Sequence, residues 1–244
     1  MKILRKVLVA ILVLMLGILS SCQDDDDVVI VRYVYAYEDA EEILAESIAY
    51  GSYGFVANLR QASEEIQTNT CEQSINNSDS FSDTNLWGSV TYDYMYTEEY
   101  TNYCNPEAYV TYDLEATQNL GAYNYDFEHD ISLNFQVTGL DVSSDSEYYL
   151  GDYDRSGEWK ALYDDDLRYT FILDIDFENL SVSKSSNKIY AGEANFVLEQ
   201  VYNAPGLVYT YSGSIEFLSE NEAKVTYDNG ESFIIYLNNI SLSN

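Results

Sequence analysis

Two groups of closely spaced carboxylates in this sequence have the residue types to bind a cation or to act as an acid and a base. The first is the pattern Asp152-x-Asp154-x-Ser156-Gly157. It places oxygen ligands at the first, third and fifth positions and glycine at the sixth, as a calcium-binding loop does. Its twelfth position is Tyr163, where a calcium loop needs glutamate. We therefore predict no bound cofactor and a hairpin tip at this segment, with calcium binding as the alternative.

The second group comprises Asp174, Asp176 and Glu178. Because they occupy every second position, they point to one side of a β-strand. Two neighbouring carboxylates can hydrolyse glycosidic bonds when one of them stays protonated. The same residues, however, form the polar side of a regular alternation, and 42 of the 244 residues are acidic, so close pairs are expected from composition alone. We predict that the chain is not an enzyme, with an acidic-site hydrolase as the most distant alternative.

His129 is the single histidine and therefore the one candidate for a histidine general base. Its neighbours Glu128 and Asp130 predict an exposed position at the start of a strand. The sequence has no nucleophile elbow, phosphate-binding loop or zinc signature. These observations also favour a protein without catalytic activity.

A stripe of aromatic residues, Tyr92, Tyr94 and Tyr96, lies on one side of another predicted strand. Aromatic rings in such a row can stack on sugars, so the stripe is a candidate glycan-binding platform. The alternative, which we favour, is that these tyrosines supply the buried face of the strand, because most of the alternating positions are polar. Arg155 and Trp159 likewise fit either a binding face or an arginine packed on an aromatic ring.

The first 21 residues have the composition of an export signal. Lys2, Arg5 and Lys6 precede an apolar run over 7–19, which is too short for a comfortable membrane span. Leu19-Ser20-Ser21-Cys22 then resembles the lipobox of bacterial lipoproteins. The resemblance implies cleavage before Cys22 and acylation of that residue, which anchors the chain firmly in a membrane.

An acidic run of Asp24, Asp25, Asp26 and Asp27 follows the lipidation motif. A run in this place resembles the signal that routes lipoproteins of one group of Gram-negative bacteria to the outer face of the outer membrane. The alternative is a tether over 22–37 in which like charges repel one another and keep the chain extended. We predict surface display on the outer membrane, with a periplasm-facing anchor as the alternative.

The chain is strongly acidic, with 11 basic residues, 42 acidic residues and a formal net charge of −31. Removal of the signal peptide takes away three cations, which brings the mature chain to about −34. Because binding to a phosphate backbone needs clustered lysine and arginine, nucleic acid is excluded as a partner. The predicted partners are the membrane, through the lipid, and a glycan or protein ligand.

The two cysteines other than Cys22 are Cys71 and Cys104. In an exported protein, two remaining thiols are expected to pair as a disulfide. The loop that this bond closes, about 33 residues long, would stabilise the fold by about 3–4 kcal/mol in the chain-entropy model.

Residues 38–67 have the periodicity of an amphipathic helix. Its stripe consists of Leu44, Ile48, Gly51, Phe55, Leu59, Ala62 and Ile66. Gly51 and Gly54 weaken the middle of this helix, which predicts a kink or a close approach to a sheet. A partner-binding helix is one interpretation, and a helix packed on its own β-domain is the one that we favour.

Residues 68–244 contain segments with a period of two. Apolar and polar residues alternate over 131–138 and 171–178, which is the pattern of half-buried antiparallel strands. Turn signals separate such segments at 138–139, 156–157, 204–206 and 229–230. The predicted fold is mainly β, either an antiparallel sandwich or a strongly curved partial barrel, with the N-terminal helix packed on it.

The last hairpin is predicted in more detail. A two-residue turn at Asn229-Gly230 would place Phe233 on the face of Thr226. The apolar pattern instead requires Phe233 to share a face with Val225. Because a slip by one residue turns every side chain to the other face, we predict an odd-length loop or a bulge, with Gly230 at positive φ.

Four further segments bear on the kind of protein. They are Gly151-x-Tyr153-x-Arg155-x-Gly157, Val182-Ser183-Lys184, the run 211–217 and Asp228-Asn229-Gly230-Glu231. Together they are similar to a family of uncharacterised bacterial lipoproteins, over about residues 40–238. The resemblance implies a lipobox, a short helix, a cysteine-containing loop and tyrosine-rich antiparallel strands, and no particular activity. We therefore predict a non-catalytic surface lipoprotein that binds a glycan, small molecule or partner, with a structural or envelope-assembly component as the alternative.

Overall fold

The computed structural model describes most of the chain from residue 39 onward. The described ranges are 39–49, 53–66, 74–84, 90–104, 108–122, 125–140, 144–161, 168–202, 206–238 and 242–243. All of these residues except Asp39 belong to the compact unit Ala40–Asn244. The predicted signal peptide, Cys22, the acidic run, the tether and Cys71 lie outside the described residues, so what was predicted for them stays a prediction.

Two helices, α1 (39–48) and α2 (Phe55–Ile66), take the place of the single predicted helix. Tyr53 between them has a φ of 54°, in the left-handed region that non-glycine residues seldom adopt. A Cβ atom on Gly54 would lie 2.5 Å from the backbone oxygen of Ser47, so only glycine allows this close return of the chain. The stripe is nevertheless correct, because its described members Leu44, Ile48, Phe55, Leu59, Ala62 and Ile66 are all buried. Neither described helix is long and apolar enough to cross a membrane.

Within the described part of the chain, eleven strands follow the helices, and each pairs antiparallel with the next. They are β1 (Ser74–Thr84), β2 (Val90–Tyr103), β3 (Tyr109–Ala122), β4 (Tyr125–Thr138), β5 (Ser146–Ala161), β6 (Arg168–Ser183), β7 (Lys188–Tyr202), β8 (Leu207–Ser219), β9 (Glu222–Tyr227), β10 (Ser232–Tyr236) and β11 (Leu242–Ser243). All belong to one sheet, in chain order. The mainly antiparallel β prediction is confirmed, and the sandwich alternative is wrong because a sandwich needs two sheets packed face to face.

The sheet is strongly curved around the helices. The ring centroid of Tyr53 lies 4.8 Å from that of Phe81 on β1, and that of Phe55 lies 6.2 Å from that of Phe217 on β8. In a flat sheet, two strands seven places apart are separated by about 34 Å. Tyr53 and Phe55 are only two positions apart, yet one contacts β1 and the other contacts β8. The sheet must therefore curl. It remains open, with β1 and β11 as the edges of the described strands.

Side chains alternate between an inner face, which packs on the helices, and an outer face. On β6, Phe171, Leu173 and Ile175 are buried while Ile172 and Asp174 between them are exposed. The inner face meets the helices through rings. Phe55 of α2 lies 5.4 Å from Tyr153 and 5.1 Å from Phe177, centroid to centroid. The buried series predicted over 131–137 and 171–177 is therefore confirmed.

The turn predicted at 156–157 is wrong, because both residues lie within β5. Gly157 is needed for a different reason. A Cβ atom there would lie 2.4 Å from the backbone oxygen of Glu128 and 2.4 Å from Cδ2 of His129. The glycine thus permits close packing of β4 on β5 and does not end the strand.

The C-terminal hairpin has the predicted register. Thr226 pairs with Ser232 and Val225 pairs with Phe233, and the latter two are buried. Tyr227 N donates to the backbone oxygen of Glu231 at 2.9 Å, which leaves the three residues 228–230 as the loop. Gly230 has a φ of 91°. The odd-length loop and the positive φ are both confirmed.

Candidate functional site

The inner face of the sheet carries polar side chains that are buried among the apolar ones. Those from the sheet are Glu98, Asn102, Gln118, His129, Glu147, Arg155 and Gln200, and those from the helices are Glu46, Ser47, Asn58 and Ser63. Buried polar groups reduce stability unless they are hydrogen-bonded, and buried charges do so strongly. This set is therefore where a site within the fold is to be sought.

Arg155 on β5 is the largest fully buried side chain among the described residues, and it bonds to several members of this set. Its Nε donates to Nδ1 of His129 at 3.1 Å, and its Nη2 donates to Oε1 of Gln118 at 2.8 Å. Its Nη1 donates to the backbone oxygen of Glu46 on α1 at 3.2 Å. We call Arg155, His129 and Gln118 the Arg155 cluster. The guanidinium joins β3, β4 and β5 to the first helix through three neutral acceptors.

His129 is buried, so the prediction of an exposed strand start is wrong. The flanking acids Glu128 and Asp130 point to the outer face, whereas His129 has the phase of the buried Ile131. Burial first, and then the positive charge of Arg155, hold the pKa of His129 well below its usual value. The imidazole is therefore neutral. Its Nδ1 lone pair already accepts from Arg155, which leaves it no lone pair to act as a general base.

His129 and Gln200 on the inner face carry buried hydrogen-bonding atoms that other described residues do not satisfy. Nε2 of His129 has no hydrogen-bond partner among the described residues, and neither amide atom of Gln200 has one. The ring of His129 instead meets the rings of Phe127 and Phe171 edge-on, with centroids 5.0 and 5.1 Å away. A buried polar group without a partner destabilises a fold by about 1–3 kcal/mol.

Glu46 on α1 places a buried carboxyl group near Arg155. Burial, and then the charge of Glu42, raise the pKa of Glu46 to about 7, while the charge of Arg155 acts in the opposite direction. The carboxyl group is therefore mostly protonated below about pH 7 and adds little negative charge there.

Two other buried carboxylates link the inner face internally and to α2. Glu98 accepts hydrogen bonds from the hydroxyl of Tyr112 and from Nδ2 of Asn77, the latter at 2.9 Å. Glu147 accepts from the hydroxyl of Tyr149 at 2.8 Å and from Oγ of Ser63 at 3.2 Å. Both are satisfied by hydroxyl or amide donors, so their role is to fix the packing.

A groove of about 470 Å³ crosses the outer face between β2 and β6. We call it the outer groove. It is lined by Thr91, Asp93, Asn119, Gly121, Asp126, Phe127, Glu128, Glu158, Lys160 and Arg168. A second groove of about 320 Å³ continues it over β1 and shares Asp93 and Asn119 with it. The two together form a long, open, polar depression.

The floor of the outer groove is made of small residues, and its sides carry charges. Gly121 and Thr91 lie opposite each other on neighbouring strands, which leaves space above them. On the far side, Nε of Arg168 lies 2.7 Å from Oε1 of Glu158. Carboxylate, amide, hydroxyl and cationic groups therefore alternate within a short distance. Such a lining offers both donors and acceptors to a polar ligand.

The carboxylates predicted as calcium or acid–base candidates meet on the outer face. Asp152 pairs with Asp176 and Asp154 pairs with Asp174, across β5 and β6. Burial, and then a hydrogen bond and repulsion from Asp174, raise the pKa of Asp154 to about 6. Glu178 lies farther along β6, and none of these acids lines either groove described above.

The calcium interpretation of Asp152, Asp154 and Ser156 is not supported by this arrangement. The three residues lie along an extended strand, whereas a calcium loop wraps its oxygens around one ion. Within the described ranges, no group of three or more histidine, cysteine or acidic residues is placed to hold a metal ion.

Asp154→Asn is expected to stabilise the protein at neutral pH relative to acid pH. Because the pKa of Asp154 is raised from its usual 3.8 to about 6, the folded chain binds this proton more tightly than the unfolded chain does. The resulting stability is complete below about pH 4 and is lost as the pH rises through 6. Urea unfolding should be measured at pH 4.5 and 7.5. Relative to the wild type, the free energy of unfolding of the variant should be higher at pH 7.5 than at pH 4.5. Asp79→Asn, on the exposed edge strand, should show no such gain.

The tyrosines of the predicted stripe differ in how deeply they are buried. Tyr94 is buried, and its hydroxyl donates to Oδ1 of Asn58 on α2 at 2.6 Å. Tyr96 is half-buried, and the side chain of Tyr92 lies outside the described residues. Tyr94 thus supplies the core, as favoured from the sequence, and its ring is not available to an open platform. The ring of Trp159 stacks on that of Tyr169, with centroids 5.1 Å apart, and the guanidinium group of Arg155 bonds to His129.

Sequence reasoning did not identify the Arg155 cluster as a unit. The sequence did contain a signal, which is the alternation of buried and exposed positions. His129 lies two residues from the buried Ile131, and Arg155 lies two residues from the buried Tyr153, so each points to the same face as its apolar neighbour. Comparison with known proteins adds no further guide, because no family model, curated protein or solved structure matches this chain significantly.

Proposed function

We propose that this chain is a non-catalytic, lipid-anchored binding protein of the outer membrane, displayed at the cell surface. Its ligand is a neutral oligosaccharide held in the outer groove. The observation that carries the proposal is the outer groove itself, which is open to solvent and lined by both hydrogen-bond donors and acceptors.

The anchor rests on the sequence around Cys22. Mass spectrometry of the mature N-terminus should find Cys22 acylated, and Cys22→Ala should leave the precursor uncut or release the chain. Replacing Asp24 to Asp27 by alanine should preserve acylation and reduce the cleavage of the chain by protease added to whole cells. If that cleavage is unchanged, the aspartates act only as a tether. The proposed Cys71–Cys104 disulfide is tested in the same sample, by the mass gained on alkylation before and after reduction.

The chemistry of the outer groove favours a neutral ligand. Asp93, Asp126, Glu128 and Glu158 outnumber the cations Lys160 and Arg168, so an anionic sugar would be repelled. Sugar hydroxyls both donate and accept, and carboxylates, amides and guanidinium groups match them. The two grooves together suit a chain of several sugar units better than a compact ligand.

Gly121→Gln is expected to abolish oligosaccharide binding without unfolding the protein. The new side chain would stand on the groove floor, where the nearest atoms to its Cβ are Oγ1 of Thr91 at 3.1 Å and Oδ1 of Asp126 at 3.6 Å. Both belong to side chains that can move. The full-length lipoprotein in detergent micelles should be titrated with neutral oligosaccharides by calorimetry, after a glycan array has identified those retained.

Thr210→Gln is the matched control, since Thr210 is an exposed outer-face residue on β8, outside the groove. It should bind as the wild type does. Retained binding by Gly121→Gln, or an array without any neutral glycan bound, would contradict the proposal.

The second candidate is a structural or envelope-assembly component, and the acidic part of the outer face favours it. Asp152, Asp154, Asp174 and Asp176 form a block of like charge that suits a basic protein partner. Under this alternative, charge reversal in the block would weaken association with cell-envelope proteins, whereas Gly121→Gln would have no effect.

A further inference from the structure

Arg155 is a permanent charge in the core whose described hydrogen-bond acceptors are all neutral. They are Nδ1 of His129, Oε1 of Gln118 and the backbone oxygen of Glu46. A guanidinium group binds a carboxylate more strongly, through two parallel hydrogen bonds. The carbonyl of Glu46 therefore occupies a position that a carboxylate oxygen would fill better.

The surroundings of the Arg155 cluster are apolar and aromatic. On the neighbouring strands, Arg155 pairs directly with Ile131 and Leu173, and both are buried. The rings of Phe127 and Phe171 flank His129. A ligand that reaches Arg155 along this face must therefore carry an apolar body behind its polar group.

The element that covers Arg155 from the helix side is α1, which contributes few large side chains. Those buried are Ile43, Leu44 and Ile48, exposed by 2%, 0% and 0%. Together these three side chains have about twelve carbon atoms, so an acyl chain of about twelve carbons would replace the apolar surface that these three side chains bury. α2 is bonded to the sheet at other places, through Asn58 to Tyr94 and through Ser63 to Glu147.

We propose that the inner face beneath α1 is a binding site for a medium-chain carboxylate. The carboxylate replaces the carbonyl of Glu46 on Arg155, and the acyl chain replaces the apolar side of α1, while α2 stays in place. This site is separate from the outer groove and does not depend on the proposed glycan binding.

The unused polar capacity of the inner face is consistent with such a ligand. Nε2 of His129 and the amide of Gln200 are buried and have no partner among the described residues. By register they lie in the same row as Gln118, across β3 to β7. A fold with no ligand to accommodate would be more stable with apolar residues in these places.

The test uses the full-length lipoprotein in nanodiscs and dodecanoate labelled with ¹³C at its carboxyl carbon, below its micelle concentration. Empty nanodiscs provide the reference for lipid partitioning. We expect a saturable resonance with one site per chain. Dodecyltrimethylammonium has an apolar chain one carbon longer and the opposite charge, and it should nevertheless bind at least tenfold more weakly. Equal binding of the two probes, or no saturable site for dodecanoate, would overturn the proposal.

The decisive variants are Leu44→Ala on α1 and Leu59→Ala on α2, because both leucines are almost fully buried. Leu44→Ala weakens the helix that competes with the ligand, so the affinity for dodecanoate should rise by about tenfold. Leu59→Ala truncates the core equally and should leave the affinity within about twofold of wild type. If the Arg155 cluster serves only the folding of the chain, Leu44→Ala should not raise the affinity for dodecanoate. An unchanged affinity would therefore refute the displacement of α1.

Arg155→Met keeps an unbranched stem of four atoms and removes the guanidinium group with its charge. It should abolish the preference for dodecanoate over the cationic probe. Hydrogen exchange supplies an independent readout, since the amides of α1 should exchange faster when dodecanoate is bound, and those of α2 should not. If Arg155→Met does not fold, the pair of leucine variants still decides the question.

Discussion

Phe55→Ala is expected to lower the free energy of unfolding by about 3–5 kcal/mol. Phe55 begins α2 and is 0% exposed. Its ring meets Tyr153, Phe177 and Phe217, which lie on β5, β6 and β8. Truncation would leave a cavity between three strands that curve around one side chain, and rigid strands cannot collapse to fill it. Urea unfolding of the full chain, followed by tyrosine and tryptophan fluorescence, measures the change.

Met95→Ala is the control, because Met95 is 59% exposed on the outer face of β2. Its effect should stay within about 0.5 kcal/mol. A loss below about 1 kcal/mol for Phe55→Ala would mean that the helices are not packed inside the sheet, and the curvature argued from Tyr53 and Phe55 would then fail.

Two kinds of feature were predictable from the sequence. One depends on the spacing of the apolar residues, and the other on whether a hairpin loop has an odd or an even number of residues. The helical stripe required only that Leu44, Ile48, Phe55 and Leu59 lie four or seven residues apart, and packing then buries them. The register of the last hairpin required only that Val225 and Phe233 share a buried face. In both cases one apolar surface must be removed from water, and few arrangements of the chain achieve that.

The Arg155 cluster was not predictable as a site because it violates the rule that guides sequence reading. Arg155 and His129 occupy inward positions where the alternation demands apolar residues. The acids beside His129 suggested exposure, although neighbouring residues on a strand point to opposite faces. The partners of Arg155 also come from β3, β4 and α1, and no local spacing indicates contacts made across such separations.

The glycines of β5 were misleading in a second way. The segment 151–157 combines glycine with aspartate and serine, which is also the composition of a turn. A Cβ atom on Gly151 would lie 2.0 Å from the backbone oxygen of Asn134, so this glycine permits a close approach of β4, as Gly157 does. Sequence alone does not distinguish a glycine needed for its backbone angles from one needed because a neighbouring strand lies against it.

Gly213→Val tests that second role and is expected to lower the free energy of unfolding by more than about 3 kcal/mol. A Cβ atom on Gly213 would lie 2.1 Å from the backbone oxygen of Thr226 and 2.8 Å from Cα of Tyr227. Because both are backbone atoms, no side-chain rotation can relieve the contact. β8 and β9 would have to separate, which disrupts the ladder that pairs Gly213 with Tyr227.

Gly230→Val is the matched comparison. It is the same substitution in the next hairpin, at a position where glycine is needed for its backbone angle and not for close packing. Gly230 has a φ of 91°, and nothing lies within 4 Å of a Cβ atom placed there. Its cost is therefore only backbone strain, about 1–3 kcal/mol. Chemical denaturation of the two variants side by side should rank Gly213→Val as the more damaging. The opposite order would show that β9 does not lie against Gly213, and the register of β8 with β9, and with it the placement of Tyr227 on the inner face, would have to be revised.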